Sequence, residues 1–247
     1  MIPDDDLGSS VPWLTTEQMR EVDRLMMEEQ GGLILQMMEN AGRNLAHLAR
    51  ERFLNGDPRG RRVLVLAGTG GNGGGGLVAG RRLHGWGAEV HVRLMAEPER
   101  LIEVSQHQLR ILERSGVVVE IPGGEVELPQ ADLIVDAMIG YSLRGSPAGE
   151  VVSLIHAANE HPAPVLSMDV PSGVNTTTGT VHGHAVRATA TMTLALPKTG
   201  LAAEEAREYV GELYLADISV PPQLYAKPSL ALKVGPIFAK SELLRLW

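Results

Sequence analysis

The stretch VLVLAGTGGNGGGGLVAGRRL, residues 63–83, joins a short apolar run to a glycine-rich segment and then to a helical pattern. The apolar run 63–67 is β-branched at two of its five positions, which predicts a buried strand. Seven of the nine residues in 68–76 are glycine, and the apolar residues that follow share one helical face. Backbone amides and the positive end of a helix favour anionic or polar ligands at such a turn. The stretch therefore predicts an α/β domain with a ligand site after this strand.

The rest of the chain repeats this alternation of strand and helix patterns. Two helices are predicted at the start, at 16–30 and 34–54, and Thr15 and Gln18 have the spacing of a capping box. Alternation of strands and helices predicts βαβ units and a mostly parallel sheet covered on both faces. The later helical patterns lie near 74–85, 98–114, 148–160 and 200–209, among strand patterns at 63–67, 88–94, 117–121, 132–139, 164–170, 190–196 and 211–218.

No linker, repeat or low-complexity segment interrupts the pattern, so we expect one domain. Its predicted limits are residues 15–227, with an N-terminal tail at 1–14 and a C-terminal tail at 228–247. The C-terminal tail ends in the amphipathic stretch SELLRLW, which we interpret as a helix packed on the domain or on a partner subunit. The methionines concentrated in residues 16–54 are interpreted as adaptable core or oligomer packing.

The composition excludes several functional classes. The 247 residues include 30 acidic and 22 basic side chains, and the net charge of −8 disfavours general nucleic-acid binding. The absence of cysteine excludes disulfides, thiol nucleophiles and cysteine zinc sites. The first residues lack the apolar core of a signal peptide, and no apolar run reaches the ~18 residues of a membrane span. We therefore expect a cytoplasmic protein that binds no membrane.

Polar residues follow several of the predicted strands. Asn72 lies in the glycine run, Asp136 ends the strand pattern at 132–139, and Asp169 and Ser172 follow the next strand. Because ligands bind at the carboxyl ends of strands in such sheets, we expect Asp136 and Asp169 to open into one crevice. The alternative is that each aspartate caps the turn or helix that follows it.

The sequence disfavours three other kinds of site. The glycines contain the G-x-G-x-x-G pattern of dehydrogenases, but the next strand does not end in the acid that would bind a ribose: Glu89 opens it and Glu97 comes late. No Lys-Ser or Lys-Thr follows the glycines, which excludes a Walker phosphate loop. His182 and His184 are interpreted as solvated turn residues, because no third metal ligand accompanies them.

Five ordered motifs across roughly residues 16–220 resemble the NAD(P)H-hydrate epimerase family, also called the YjeF amino-terminal domain family. The resemblance implies a Rossmann-like three-layer α/β/α sandwich. It also implies the epimerisation of hydrated NADH and NADPH, which carry a hydroxyl on carbon 6 of the nicotinamide ring. The motifs are MMENAGR at 37–43, VLVLAGTGGNGGGGLVAGRRL at 63–83, DLIVDAMIG at 132–140, PVLSMDVPSGVN at 164–175 and LPKTGL at 196–201.

The same resemblance implies partners for the protein. Family members are commonly homodimers, which the methionine-rich helices at 16–54 would suit. Their product serves an ATP- or ADP-dependent dehydratase that accepts one epimer and restores the cofactor. The dehydratase is often fused in bacteria, and we expect it here on a separate protein.

Site residues carry over from the family position by position. A potassium ion would be held by Asn72, Asp136 and Ser172, all of them oxygen donors. We infer that the Asp169 carboxylate exchanges protons at the reacting ring. The substrate would contact Gly71, Asn72, Gly73, Gly74, Gly75, Gly140, Tyr141, Ser142, Leu143, Arg144, Gly145, Ser146 and Asp169.

The chain departs from the family pattern in two loops. The usual N-N-G-G-D-G is replaced by GNGGGG at 71–76, so that Gly71 and Gly75 stand where the family has Asn and Asp. The usual G-T-G-L is replaced by GYSL at 140–143. Retention of Asp169 favours an epimerase, whereas the altered glycine run favours the alternative, a non-catalytic nucleotide- or protein-binding module on the same fold.

Overall fold

The computed structural model describes residues 11–123, 126–143 and 145–247. Within them, eight strands form a single sheet. All seven strand patterns of the sequence are confirmed, and an eighth strand follows near the end of the chain. The strands are β1 Arg62–Ala67, β2 Glu89–Leu94, β3 Val118–Glu120, β4 Leu133–Ala137, β5 Val165–Met168, β6 Ala190–Leu194, β7 Glu212–Ala216 and β8 Leu243–Arg245.

The helices alternate with these strands, as the sequence predicts for most of them. A π-helical turn, Ala49–Phe53, extends the second helix. The predicted helix at 200–209 is instead two 3₁₀ turns, Thr199–Ala202 and Glu204–Ala206, followed by a single α-helical turn. The helices are α1 Thr16–Glu28, α2 Ile34–Leu48, α3 Gly71–Gly85, α4 Glu103–Arg114, α5 Glu150–Glu160, α6 Arg207–Val210 and α7 Pro222–Tyr225. Among the described residues, none of the helices has the length and apolarity to cross a membrane.

The strand order shows where on the sheet a ligand is expected to bind. The order is β3-β2-β1-β4-β5-β6-β7-β8, and every neighbouring pair is parallel except β7 and β8. Strand β1 pairs with both β2 and β4, so the chain reverses its direction of growth across the sheet at this point. In sheets of this kind the crevice outside the carboxyl ends of the reversing strands is where ligands bind.

The side chains of β1 alternate between the two faces of the sheet. Val63, Val65 and Ala67 belong to the apolar cluster that contains α1, α2 and α3, whereas Leu64 and Leu66 belong to a cluster with α5. Alternation with period two buries both faces of a strand when helices cover both sides. The three-layer α/β/α arrangement predicted from the sequence is therefore confirmed.

The helix predicted for the C-terminal stretch SELLRLW is wrong. Residues Leu243–Arg245 form β8, which pairs antiparallel with β7 at the edge of the sheet. Leu244 and Leu246 are buried while Arg245 between them is partly exposed, which is the period of a strand. Pairing satisfies backbone groups of β7 that an edge strand would leave open. The stretch does pack back on the domain, as expected.

Candidate active site

The glycine run forms the beginning of α3, not a loop. The helix begins at Gly71, three residues earlier than the sequence predicts. A Cβ atom on Gly73 would lie 1.9 Å from the carbonyl oxygen of Gly68, and one on Gly76 would lie 2.5 Å from the Cβ of Ala137. These glycines are required because the first turns of α3 approach β1 and β4 too closely for any side chain.

The two glycines that depart from the family pattern differ in their surroundings. A Cβ on Gly71 would meet nothing within 4 Å, so an asparagine would fit there. A Cβ on Gly75 would lie 2.1 Å from the terminal methyl carbon of Met168. The thioether of Met168 thus fills the space next to Gly75 that a side chain would need.

A cavity of about 440 Å³ opens at the carboxyl ends of β1, β4 and β5, next to α1 and α2. Its volume lies in the range typical of small-molecule sites. Methionines form much of its wall. Met19, Met27, Met37 and Met38 contribute from α1 and α2, Met95 and Met138 follow β2 and β4, and Met168 ends β5. The interpretation of the helical methionines as packing residues alone is therefore incomplete.

Asp169 follows β5 directly and lines this cavity. Its backbone φ is 67°, in the left-handed region that non-glycine residues seldom adopt. The carboxylate has two partners: its Oδ2 accepts from the backbone N–H of Tyr141 at 3.3 Å, and its Oδ1 accepts from Nζ of Lys198 at 2.5 Å. Only 3% of the residue is exposed, so these contacts hold the carboxylate in one orientation at the cavity wall.

Lys198 is a site residue that the sequence reasoning missed. Its side chain has no exposed surface, and its Nζ donates to the Leu194 carbonyl at 2.8 Å and to the Thr193 hydroxyl at 3.2 Å, besides Asp169. The three partners use all three protons of the ammonium group. One signal was available in the sequence: Lys198 is the first lysine of the chain, which otherwise uses arginine up to residue 226.

Asp136 does not share the crevice with Asp169, contrary to expectation. It is fully buried in β4, and it is not part of the cavity wall. Its Oδ1 accepts from the Ser172 hydroxyl at 2.5 Å, and its Oδ2 accepts from the Ser172 N–H at 2.9 Å and the Ser167 hydroxyl at 2.8 Å. Burial raises the pKa of Asp136, while the bonds from Ser172 oppose the change. Asp136 thus fastens the turn after β5, which carries Asp169, to β4.

The three expected potassium ligands have the donor chemistry of a hard cation. Asn72 lines the cavity, and its buried Nδ2 lacks a hydrogen-bond partner in the part of the chain described. If the Asn72 side-chain amide is flipped, its Oδ1 takes the position of Nδ2, and an oxygen is the atom that a cation requires. No cluster of three or more His, Asp or Glu side chains suited to a metal occurs in residues 11–123, 126–143 and 145–247. Amide and hydroxyl oxygens with one carboxylate have the chemistry for a monovalent ion, but the Ser172 hydroxyl and the Asp136 carboxylate are bonded to each other here and would have to exchange that bond for the ion.

A second carboxylate in the cavity was not predicted. Asp23 lines the cavity from α1, and its Oδ2 accepts from the hydroxyl of Tyr141 at 2.5 Å. Burial raises the pKa of Asp23; the Tyr141 bond and the charge of Lys198 oppose the rise, and the charge of Asp169 adds to it. Burial, the nearby charge of Asp23 and the hydrogen bond to it also raise the pKa of Tyr141.

The remaining predicted residues divide into three groups. The cavity is lined by Gly71, Asn72, Gly140, Tyr141, Ser142 and Asp169. The first turns of α3 bury Gly73, Gly74 and Gly75. The cavity wall does not include Leu143, Gly145 or Ser146. Arg144 lies outside the described residues. His182 is exposed, and the ring of His184 packs edge-on against His156 with centroids 4.7 Å apart.

Residues 34–200 match the family model described as YjeF-related protein N-terminus. An NAD(P)H-hydrate epimerase of Dehalogenimonas lykanthroporepellens is 45% identical, with 94% of this chain and 92% of the relative covered. One of Rhodopirellula baltica is 35% identical, with 87% of each covered. The Bifunctional NAD(P)H-hydrate repair enzyme Nnr of Moorella thermoacetica is 36% identical over 86% of this chain, which spans only 41% of that relative. The crystal structure of yeast YNL200c superposes with a TM-score of 0.79 at 25% identity, covering 96% of this chain and all of that one.

Proposed function

The chain belongs to the YjeF N-terminal family, and from that premise we propose that it epimerises the hydrated nicotinamide ring of NADHX and NADPHX, the hydrated forms of NADH and NADPH. The observation that carries the proposal is Asp169, an ion-paired carboxylate set in the wall of a methionine-lined cavity. The apolar wall suits a ring, and the carboxylate suits the hydroxyl that the hydrated ring carries. Relatives at 45% and 35% identity have the name NAD(P)H-hydrate epimerase.

Asp169 and Lys198 have different roles in the proposed reaction. The hydrated ring contains a carbon that holds both a hydroxyl and the ring nitrogen. Asp169 takes the hydroxyl proton, the bond from this carbon to nitrogen breaks with its electron pair moving to nitrogen, and a carbonyl forms. Nitrogen then attacks the other face of the carbonyl carbon, and the oxygen takes the proton back from Asp169. Lys198 holds the carboxylate in place throughout.

The remainder of the nucleotide would lie along the start of α3. Gly71 and Asn72 line the cavity at the N-terminus of this 15-residue helix. Free backbone N–H groups and the helix dipole stabilise phosphate oxygens at such a position. Gly140, Tyr141 and Ser142 form the adjoining wall.

A potassium ion would be held by Asn72, Asp136 and Ser172. When bound, the ion would supply a fixed positive charge near the phosphates of the nucleotide. The proposal is supported by the oxygen donors and the unpartnered amide atom of Asn72. Turnover in potassium chloride should exceed turnover in sodium chloride at equal ionic strength, and Asn72→Ala should abolish the difference. Equal rates in both salts would contradict potassium dependence.

A coupled assay tests the function directly. The purified protein is given the epimer that a dehydratase does not accept, together with that dehydratase, and the restored NADH is followed by absorbance. Turnover above the uncatalysed rate is expected, and Asp169→Asn should reduce it by at least ~100-fold while the protein still folds and binds the nucleotide. If Asp169→Asn turns over like the parent, the role of Asp169 is wrong.

A second function, nucleotide or protein binding without catalysis, is favoured by one observation. Gly75 replaces the family carboxylate, and Met168 occupies the space next to it. If the wild-type protein does not exceed the uncatalysed rate, this alternative replaces the first. Gly71→Asn is then the first restoration to make, because its position is open, whereas Gly75→Asp must be combined with a smaller residue in place of Met168.

We further propose that the protein is a cytoplasmic homodimer that works with an ATP- or ADP-dependent dehydratase. The bifunctional relatives support the link to a second activity. The exposed apolar side chains Leu33 and Ile34 at the start of α2 support a subunit contact. Light scattering at micromolar concentration should give the mass of two chains, and the mass of one chain would contradict the dimer.

A further inference from the structure

The proposed reaction needs two proton-transfer groups, and Asp169 supplies one. While Asp169 accepts the hydroxyl proton, the ring nitrogen gains an electron pair and needs a proton from another donor. Each oxygen of Asp169 already accepts one hydrogen bond, from Lys198 or from the Tyr141 N–H, and during this step Asp169 also holds the hydroxyl proton. A donor must therefore come from a different element that reaches the same cavity.

Asp23 and Tyr141 meet this requirement by their position. Asp23 projects from α1 and Tyr141 follows β4, and both line the cavity that Asp169 lines. The Tyr141 hydroxyl donates to Asp23 at 2.5 Å, so a proton can pass between them. Asp23 is only partly buried, which leaves it accessible to a ligand in the cavity.

The two carboxylates of the cavity have opposite surroundings. Asp169 is paired with the ammonium group of Lys198, whereas no cation of the described chain lies within ion-pairing distance of Asp23. The ionisable groups that influence the pKa of Asp23 are Tyr141, Lys198 and Asp169. The charge of Arg20 in turn influences the pKa of Tyr141, and the charge of Asp23 influences that of Tyr225 in α7. Burial raises the pKa of Asp23 above its usual value. A carboxyl group without a cation beside it favours its protonated form, so the surroundings of Asp23 suit the role of an acid.

We propose that Asp23 and Tyr141 form a second proton-transfer pair, in which the Asp23 carboxyl gives its proton to the ring nitrogen as the bond from nitrogen to carbon 6 breaks, and the Tyr141 hydroxyl donates a hydrogen bond to the carboxylate that results. The pair takes the same proton back when nitrogen closes the ring on the other face. The step leaves atoms, electrons and oxidation state unchanged, since one proton goes out and returns. This inference depends on the proposed epimerase function.

Kinetics of matched variants test the pair. Asp23→Asn keeps an oxygen acceptor for Tyr141 but cannot carry the proton, and Tyr141→Phe removes the hydroxyl. Each should lower kcat by about 100-fold with KM little changed, and the double variant should be no slower than the slower single one, because the two residues act as a unit. Glu17→Gln, which removes a charge from the exposed face of the same helix, should stay within about twofold of the parent.

The pH profile separates proton transfer from a purely structural role. In the parent, kcat should fall as pH rises through the pKa of the pair, and this fall should be absent from the residual activity of Asp23→Asn. Rates that drop equally at every pH would overturn the proposal, as would kcat unchanged in Asp23→Asn. If the parent is active and Asp169→Asn is not, while Asp23→Asn equals the parent, this inference alone fails. If the parent protein itself is inactive, both the proposed function and this inference are wrong.

A carboxyl ¹³C NMR titration gives a readout independent of turnover. The aspartate signal that is missing from Asp23→Asn should titrate above the ordinary aspartate value of about 3.9. Asp23→Glu provides a second variant if Asp23→Asn does not fold, and it should retain part of the activity. Titration at or below the ordinary value contradicts an acid role for Asp23.

Discussion

Lys198 and Asp169 form an ion pair that almost no solvent reaches. The side chain of Lys198 has no exposed surface, and that of Asp169 is 4% exposed. Transfer of both charges out of water is unfavourable, and the contact offsets that cost only because Lys198 also donates to Thr193 and Leu194. Such a pair adds little net stability, yet the loss of either member leaves the other charged and buried without its partner.

A double-variant cycle should reveal this asymmetry. Lys198→Met removes the charge but keeps the length of the side chain, and it should lower the free energy of unfolding by about 3–5 kcal/mol. Adding Asp169→Asn to Lys198→Met should recover most of the loss, because no buried charge remains. Urea denaturation at pH 7 measures all four proteins. Losses that simply add in the double variant would show that the two residues are not coupled.

Asp23→Asn should make the protein more stable at neutral pH even though it slows turnover. Because burial raises the folded-state pKa of Asp23, its contribution to stability is fully present below the unfolded pKa and is lost as pH rises through the folded pKa. The asparagine has no such loss. The variant should therefore have a higher Tm than the parent at pH 7.5 and nearly the same Tm at pH 3.5. A Tm below that of the parent at both pH values would contradict this explanation.

The sequence predicted the residues that motifs carry and missed those that tertiary packing brings in. Asp169 was identifiable because an apolar strand precedes it and a proline follows two residues later. Asp23 was not, since its contact with Tyr141 depends on how α1 lies across the end of β4. Lys198 lies in a recognised motif, but burial of its ammonium group cannot be read from neighbouring residues.

At the scale of elements, the close packing of α3 against the sheet and α2 depends on glycines, which have no side chain. Gly73 and Gly76 bring its first turns against the sheet, and Gly42 of α2 brings the two helices together, since its Cβ would lie 2.4 Å from that of Val78. The glycine composition lowers intrinsic helix stability by up to about 1 kcal/mol per residue relative to alanine. Close packing compensates, so the segment is helical where local propensity predicts a loop.

Two alanine substitutions in α3 should have opposite effects. At Gly76 a new Cβ would lie 2.5 Å from Ala137, so Gly76→Ala should reduce the free energy of unfolding by about 1–3 kcal/mol. At Gly80 the nearest atoms are at 3.4 Å, an ordinary contact, so Gly80→Ala should increase it by up to about 1 kcal/mol. Thermal unfolding followed by circular dichroism compares them. Equal effects at both positions would contradict packing as the cause.

The C-terminal strand shows the limit of local pattern reading. SELLRLW has apolar residues at spacings compatible with a helix and also with a strand, and a stretch this short does not decide between them. The deciding factor is the open edge of β7, whose Leu213 N–H donates to the Trp247 carbonyl. An edge strand is a property of the folded sheet and not of the seven residues that join it.

At the scale of the whole molecule, the two ends of the described chain meet at this edge of the sheet. The rings of Trp13 and Trp247 stack with centroids 6.0 Å apart. Leu14 bridges to Lys198, so the segment before α1 is also tied to the segment that carries the buried lysine. The sheet is continuous from β3 to β8, so we expect its C-terminal edge to unfold together with its centre.

Leu244→Ala should test this continuity. Leu244 is 1% exposed and belongs to an apolar cluster with Leu213 and Leu215 of β7, so truncation should lower the free energy of unfolding by about 2–5 kcal/mol. Far-ultraviolet circular dichroism and tryptophan fluorescence should still report the same midpoint. Arg245→Ala, on the partly exposed side of the same strand, should change the midpoint little. Separate midpoints for the two probes would indicate that the C-terminal edge unfolds on its own.

The methionine wall of the cavity also gives the protein a chemical vulnerability. Thioethers are oxidised to sulfoxides, which are polar and chiral, and Met27 at 41% exposure is the accessible one of the α1 methionines. Peroxide would thus convert an adaptable apolar surface into one that repels a ring, without breaking a bond in the backbone. A reductase could reverse the change, so the affinity of the cavity would follow the oxidant level of its surroundings.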